Sequence, residues 1–255
     1  MPKSQSAANG PLVSCIMPTF GRADYVAESI QMFLRQDYAA KELIVLNDCP
    51  GQILCGEFPN VRIINSPERW HSLGEKRNAA IEMSRGLYLA VWDDDDIYFP
   101  WRLSYSMRRI HELGEPQIYC PATYWAYWGD ENLHENQAVM DWIYHPQVVF
   151  TKKLWSTLGG YPPQTLSEDT AFFTKAIEHL GIDWPRDEIA AHDRVMIMRG
   201  TSKYRHTSID GGRAEPDTRP GAIRLETQPV NDDCLRRCAD DLIAKRAMAV
   251  SKSAT

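Results

Sequence analysis

Four consecutive carboxylates, Asp93-Asp94-Asp95-Asp96, interrupt an apolar stretch of the chain. Leu87-Tyr88-Leu89-Ala90-Val91-Trp92 leads into them and Ile97-Tyr98-Phe99-Pro100-Trp101 leads away. Six apolar residues in a row after Gly86 predict a strand buried on both faces, as in a parallel sheet. The acids then stand at the C-terminal end of a strand, where open α/β sheets gather their ligands. With the backbone extended, Asp93 and Asp95 point one way and Asp94 and Asp96 the other. Two carboxylates converging at a half-buried strand end repel, and one is driven toward protonation unless a cation stands between them. Hard oxygen donors of this kind suit Mg²⁺ or Mn²⁺, whose shells are commonly completed by substrate phosphates. An acidic run is more often a solvated turn; the apolar flanks argue against that here. An EF-hand loop does not fit, because Tyr98 stands where its glycine is needed and Ser104 where its glutamate is needed.

A chain of 255 residues, 44% hydrophobic and 24% charged, can bury a substantial core in one large α/β domain or two small ones. Its net charge of −6 disfavours nucleic acid as the main partner. No stretch approaches the roughly 20 apolar residues of a membrane span, and residues 1–11 lack an apolar leader core. A cytoplasmic protein with no membrane span is expected. The six cysteines form no Cys-x-x-Cys pair and read as reduced structural thiols. The histidines show no paired spacing of a zinc site.

Residues 1–10 are polar and expected to be disordered. Residues 12–17 read as a strand stopped by Pro18, followed by a loop, Thr19-Phe20-Gly21-Arg22. Val26, Ile30, Phe33 and Leu34 have helical spacing, which predicts a helix over 23–36 with Asp24 as a candidate cap. Strands are predicted over 42–46, ending at Asn47-Asp48 before a Pro50-Gly51 turn, and over 61–64. A helix over 74–85 closed by Gly86, the acid-bearing strand, and a helix on Leu103, Met107 and Ile110 closed by Gly114 follow. This order predicts the α/β class, a doubly wound and mostly parallel sheet. After Pro116 a smaller mixed or antiparallel part is expected, with strands over 117–128, 139–150 and 195–198 and a helix capped by Ser167. Gly- and Pro-rich residues 211–229 read as a mobile segment, and 231–248 as a terminal helix.

Asp48 ends one strand as the acids end another, so both are expected to open on one cleft. A carboxylate there can accept the imide N–H of a uracil, or simply form an Asx-turn before Pro50-Gly51. Arg77, near a helix start, can grip a phosphate bidentately; a lone Lys76-Arg77 pair is more commonly a solvated helix end. Glu168-Asp169 at a helix N-terminus are kept ionised by the macrodipole, as a general base requires and as a purely structural helix start also shows. His206, flanked by Tyr204, Arg205 and Ser208, is more ordinarily a packed or surface residue than a ligand. Tyr124, Trp125, Tyr127 and Trp128 can stack on sugar faces or belong to the core.

Taken in order, five segments resemble the family-2 glycosyltransferases of GT-A fold. Val13-Ser14-Cys15-Ile16-Met17-Pro18-Thr19-Phe20-Gly21-Arg22 resembles the opening strand and loop, and Leu43-Ile44-Val45-Leu46-Asn47-Asp48 the second strand with its base-binding aspartate. Gly74-Glu75-Lys76-Arg77-Asn78-Ala79-Ala80, Trp92-Asp93-Asp94-Asp95-Asp96-Ile97 and Ser167-Glu168-Asp169 resemble the nucleotide-contacting, DxD and ED segments. The resemblance runs from about Leu12 to Ser208. It implies a donor site of Pro18, Thr19, Phe20, Arg22, Asp48, Arg77, Asp93, Asp94 and Asp95, with Thr19 and Phe20 on the base and Arg77 on the diphosphate. It makes Asp95 the direct ligand of Mn²⁺ or Mg²⁺, with Asp93 nearer the ribose and metal and His206 completing the site. Asp169 would be the catalytic base, with Trp125, Trp128 and Glu168 on the acceptor side. Residues 11–210 would then be one glycosyltransferase domain, with a nucleotide-binding half at 11–115 and an acceptor-binding half at 116–210. A mobile segment and C-terminal helix would follow at 211–255. The implied reaction is inverting transfer from a nucleotide sugar, a UDP-sugar first, to a hydroxyl of a glycan or lipid-linked saccharide. A sugar-nucleotide nucleotidyltransferase is the alternative enzyme, against which stands the lack of a Gly-rich phosphate loop after the first strand. A catalytically silent nucleotide-sugar or carbohydrate-binding module is the non-enzymatic alternative.

Overall fold

The computed structural model describes residues 10–128, 132–137, 145–183, 187–199 and 217–253. Its centre is a pair of parallel strands, β1 (Val13–Thr19) and β2 (Lys41–Asn47), in which every residue but Lys41 is buried. Two-sided burial is what a continuous apolar run calls for. With β3 (Gln52–Cys55) set apart, β4 (Val61–Asn65) extends the sheet beyond β2, and β5 (Tyr88–Val91) flanks β1 on the other side, all parallel. β10 (Val149–Thr151) then runs antiparallel between β5 and β7 (Ile118–Tyr119), giving the order β4-β2-β1-β5-β10-β7. The expected α/β class with a mostly parallel sheet is therefore present.

Successive β1 side chains serve opposite layers, as the two-residue period of a strand dictates. Val13, Cys15 and Met17 pack with Val26, Ile30 and Phe33 of α1 (Ala23–Leu34) and with Leu103 and Ile110 of α3 (Arg102–Glu112). Ile16 packs on the other face with Ala79 to Ile81 of α2 (Leu73–Glu82). Leu154 of α4 (Lys152–Leu158) and Phe172 and Phe173 of α5 (Glu168–Leu180) join that second cluster. A second sheet, β6 (Ile97–Tyr98), β11 (Met196–Arg199), β8 (Thr123–Tyr127) and β9 (Leu133–Gln137), forms the smaller mixed part. α6 (Asp233–Ser253) is the predicted terminal helix. Among the described residues no helix is long and apolar enough to cross a membrane.

Several boundaries differ from expectation. Pro18 does not stop β1, which stays paired with β2 as far as Thr19; the β1–β5 ladder ends at Ile16, so Pro18 costs no ladder bond on the β5 side. Asp24 lies in the first turn of α1 and does not cap it; Arg22 is at the N-cap, without a side-chain bond. Ser167 occupies the α5 N-cap in a left-handed conformation (φ 57°), so its side chain makes no cap bond either. The stretch 117–128 is two short strands in different sheets; of 139–150, residues 139–144 lie outside the described residues, and the rest is a 3-10 turn at His145–Gln147 leading into β10. Residues 217–229, read as mobile, contain β12 (Gly221–Arg224), which pairs parallel with β3. Glycine content misled there, because Gly221 (φ 120°) serves as the entry to a strand. Residues 211–216 lie outside the described residues, as do 1–9.

Close approach fixes one glycine beside the future site. Gly74 in the first turn of α2 donates its N–H to Gln164 O at 3.1 Å, and a Cβ there would lie 1.9 Å from Pro162 O. The obstacle is backbone, which cannot swing aside as a side chain would. Gly74→Ala should therefore cost at least the ~1–3 kcal/mol of ordinary overpacking, read from urea denaturation. Wild-type stability in that variant would mean that the 160–167 loop separates freely from α2.

Candidate active site

Between Val91 and Ile97 the chain leaves the central sheet and enters the second, so the acids form a tight turn instead of an extended strand end. Trp92 N–H bonds to Ile16 O at 3.0 Å and Asp93 N–H to the Tyr98 hydroxyl at 2.9 Å, which closes the turn. The strict alternation expected of the four carboxylates is lost in consequence. Asp94 Oδ1 and Asp95 Oδ2 both accept from Arg22 Nη1 at 2.8 Å, and Thr19 Oγ1 donates to Asp94 Oδ2 at 2.6 Å. Asp93 accepts from Arg77 Nη1 at 3.2 Å. Asp96 points away, its carboxylate accepting the Arg199 N–H at 3.1 Å. The cation that converging carboxylates require is thus, in the first instance, an arginine.

The start of α2 supplies the opposing charges. Ser72 Oγ accepts the Glu75 N–H at 3.2 Å, an N-cap bond that fixes the first turn, and donates to the Glu75 carboxylate at 3.1 Å. Lys76 and Arg77 follow, and both are buried, against the expectation of a solvated helix end. Their side chains diverge. Lys76 donates to Thr19 O at 2.6 Å and forms an ion pair with Asp48, whose other oxygen accepts the Trp70 N–H at 3.1 Å. Arg77 bridges Asp93 and Glu168, the latter at 3.2 Å from Nε. Phe20 lies beneath the Arg69 guanidinium, 4.4 Å from its ring centroid.

These groups border one cleft of about 600 Å³. Pro18, Thr19, Phe20 and Arg22 come from the loop after β1, Asp48 from the end of β2, Arg77 from α2, and Asp93, Asp94 and Asp95 from the turn. Glu168 and Asp169 border it at the N-terminus of α5. Asp169 is half-buried and accepts the Thr170 N–H at 2.7 Å. Trp125 and Trp128 are not among the residues that line the cleft: Arg194 covers the Trp125 ring at 4.2 Å, and Trp128, just past the end of β8, is solvent-exposed. Glu168 is buried and pairs with Arg77. His206 lies outside the described residues. Lys76, Arg69, Trp70 and Leu166 line the cleft without having been singled out. Only Lys76 carried a signal, its place after the Ser-x-x-Glu box.

Burial sets the charge states. It works against a charged Arg22, but Asp94 and Asp95 outweigh it and hold the pKa above its ordinary value. Arg77 is held up in the same way by Asp93 and Glu168. Burial raises Asp94 despite Arg22, and raises Glu168 despite Arg77. Asp96 stands well above the carboxylate range through burial, then through Asp95 and Asp93. Lys76 is lowered by burial, with Asp48 opposing. Among the described residues no three His, Cys, Asp or Glu side chains converge as a ready-made metal cage. Asp93 Oδ2 and Asp95 Oδ1 nonetheless accept no hydrogen bond from any described residue. Hard carboxylate oxygens beside a cleft fit a Mg²⁺ or Mn²⁺ ion that takes the rest of its shell from water and phosphates.

A family model described as Glycosyl transferase family 2 matches residues 14–180, well over half of the chain and inclusive of every cleft residue named above. The chain belongs to glycosyltransferase family 2. Among curated relatives of this family-2 chain, the putative colanic acid biosynthesis glycosyl transferase WcaA of Escherichia coli is 31% identical over 112 residues, covering 41% of this chain and 40% of the relative. The succinoglycan biosynthesis protein ExoO of Rhizobium meliloti is 31% identical over 109 residues, covering 41% and 31%. The chain thus spans less than half the length of these relatives. The solved structure of S. aureus TarS 1-349 in complex with UDP-GlcNAc superposes with a TM-score of 0.59 at 16% identity, covering 74% of this chain and 58% of that one. The mannosyltransferase PcManGT from Pyrobaculum calidifontis, in complex with GDP-Man and Mn2+, gives 0.54 at 14% identity, covering 77% and 60%. At such identities the likeness concerns the fold, which is GT-A.

The Lys76–Asp48 pair carries a stability consequence. Removing one partner leaves the other charged and buried, which typically costs about 3–5 kcal/mol. Lys76→Met should be destabilised on that scale in chemical denaturation, and Lys76→Met with Asp48→Asn should recover part of the loss. A neutral single variant would mean that Asp48 finds another partner or water.

Proposed function

We propose that this family-2 chain transfers a sugar from a nucleotide sugar, a UDP-sugar in preference to others, to a saccharide hydroxyl with inversion at the anomeric carbon. The observation that carries the reading is the single cleft in which Asp48, Arg77 and the acidic turn face a helix N-terminus bearing Asp169. TarS in complex with UDP-GlcNAc, and the mannosyltransferase in complex with GDP-Man and Mn2+, support a nucleotide-sugar donor and a divalent ion. The names of the colanic acid and succinoglycan relatives support a saccharide acceptor. Residues 11–115 form the nucleotide-binding half in this reading and 116–210 the acceptor half.

Thr19 and Phe20 meet the base, and Asp48 accepts its imide N–H through a lone pair left by Lys76 and Trp70. Arg77 binds the diphosphate, anchored from behind by Glu168. Asp95 and Asp93 hold Mn²⁺ or Mg²⁺, with His206 as a further ligand. Such an ion, when bound, offsets the charge that builds on a leaving diphosphate. Asp169 accepts the proton of the acceptor hydroxyl as that oxygen attacks the anomeric carbon opposite the diphosphate. The bond to the diphosphate breaks as the new glycosidic bond forms. The α5 N-terminus favours the ionised carboxylate that this step needs.

Calorimetric titration of UDP, GDP and dTDP with and without Mn²⁺ tests the donor reading. UDP should bind most tightly, and both EDTA and Asp95→Ala should weaken it strongly. Equal UDP affinity in the presence of chelator would remove the metal from the site.

Asp169→Asn keeps shape but cannot accept a proton, so transfer should fall by about 10²- to 10⁴-fold at unchanged donor affinity. Glu168→Gln should behave differently, losing donor affinity because Arg77 loses a buried partner. The checks are transfer rate and UDP-sugar binding for both variants. Near-normal turnover in Asp169→Asn would assign the base elsewhere.

A further inference from the structure

The acidic turn lacks a preformed metal cage but does not lack a cation. Arg22 Nη1 lies 2.8 Å from an oxygen of Asp94 and 2.8 Å from one of Asp95, with both carboxylates buried. One of this pair, Asp95, is also one of the two carboxylates, Asp93 and Asp95, that would hold a divalent ion. A guanidinium and a divalent ion on the same carboxylate repel each other, and that repulsion is scarcely screened in a partly desolvated site. Asp94 has little to offer another cation, because Thr19 holds its second oxygen. Asp95 is the contested group: Oδ2 is on Arg22, while Oδ1 accepts from no described residue. Arg77 is differently placed. Its Nε is on Glu168, so a change at its Nη1 contact with Asp93 would still leave it a buried partner.

Resting on the nucleotide-sugar reading above, we propose that Arg22 is the resident counter-ion of the acidic turn and yields Asp95 to a divalent cation when a nucleoside diphosphate enters. Diphosphate oxygens are alternative partners for a guanidinium, which engages them in a bidentate manner. The exchange keeps both carboxylates compensated: Arg22 stays on Asp94 and trades its Asp95 contact for a phosphate oxygen, and the metal takes the Asp95 carboxylate. Metal and diphosphate then load together, each raising the affinity of the other by the same factor. A nucleotide-free enzyme would leave the cellular pool of divalent ions largely unbound.

Mn²⁺ binding, followed by loss of the free-ion EPR signal, tests this in wild type and Arg22→Gln with and without UDP. Wild type should bind Mn²⁺ at least about tenfold more tightly with UDP than without, within the usual range of coupling between sites. Arg22→Gln should bind Mn²⁺ alone at least about tenfold more tightly than wild type and lose most of the UDP effect. Equal affinities of the two proteins for Mn²⁺ alone, with wild type still binding it in the presence of UDP, would overturn the role of Arg22 and leave the donor reading standing. Failure of wild type to bind Mn²⁺ at any UDP concentration would overturn the metal reading and this inference with it. Should Arg22→Gln fail to fold, Arg22→Lys keeps the charge but bridges two carboxylates less well. It should bind Mn²⁺ alone severalfold more tightly than wild type, and parity would overturn the proposal.

Discussion

The site depends on the compensation of a buried acidic turn by two arginines. Asp94 and Asp95 share Arg22, and Asp93 shares Arg77 with Glu168. Uncompensated, carboxylates this deeply placed would protonate or unfold the turn. Each arginine comes from a different element, so the compensation also ties the elements together. Arg22 joins the β1–α1 loop to the turn, and Arg77 joins α2 to the turn and to α5.

Behind the turn a third arginine works on the backbone. Arg102 is fully buried, with its guanidinium 4.8 Å from the Trp92 ring and 4.1 Å from the Tyr98 ring. It donates to Val91 O, the last residue of β5, and at 2.7 Å to Pro146 O on the cleft wall. The strand end that launches the acids is thereby stapled to the 3-10 turn across from it. Asp96 faces the opposite way and is drawn into a buried chain with Arg199 and Glu28, the latter at 2.7 Å. The four acids thus divide into three that line the cleft and one that anchors the turn.

The fold was legible where apolar runs are long and local. Residues 12–17, 42–46 and 87–92 announce the central strands because burial on both faces favours apolar residues, and the polar exceptions, Ser14 and Glu42, hydrogen-bond to each other. The short strands at Gln52–Cys55 and Gly221–Arg224 were not legible, since each is stabilised by a partner about 170 positions away in sequence. The acids were correctly placed at a strand end, yet their directions were misjudged. Alternation holds only while a strand continues, and the chain changes sheets at that point. Arg77 and Asp169 were legible as charges at helix starts. That Lys76 is buried was not, because nothing local tells that Asp48 and Thr19 will sit above it. Trp125 stacks on Arg194, a partner about 70 positions away that its sequence neighbourhood does not announce.

The family-matched stretch ends at residue 180, but the loop that carries Phe20 and Arg22 is not braced by that stretch alone. Asp217 N–H donates to Gly21 O at 2.9 Å, and Gln228 Nε2 donates to Asp24 O at 3.0 Å, one on each side of Arg22. Asn231 N–H donates to the Glu28 carboxylate at 2.9 Å, one turn further along α1. Leu225 and Leu235 are buried in the same core as Val26 and Ile30, which fixes this C-terminal segment in place. Arg246 closes the arrangement over Trp101, 4.3 Å from its ring, beside an ion pair with Asp193. The cleft residues therefore lie within the family-matched stretch, whereas the Arg22 loop is braced partly from outside it. An arginine that must hold two carboxylates in one state and release one in another needs a loop whose backbone stays put while its side chain moves. Backbone clamps at Gly21 and Asp24 meet that requirement without touching the guanidinium.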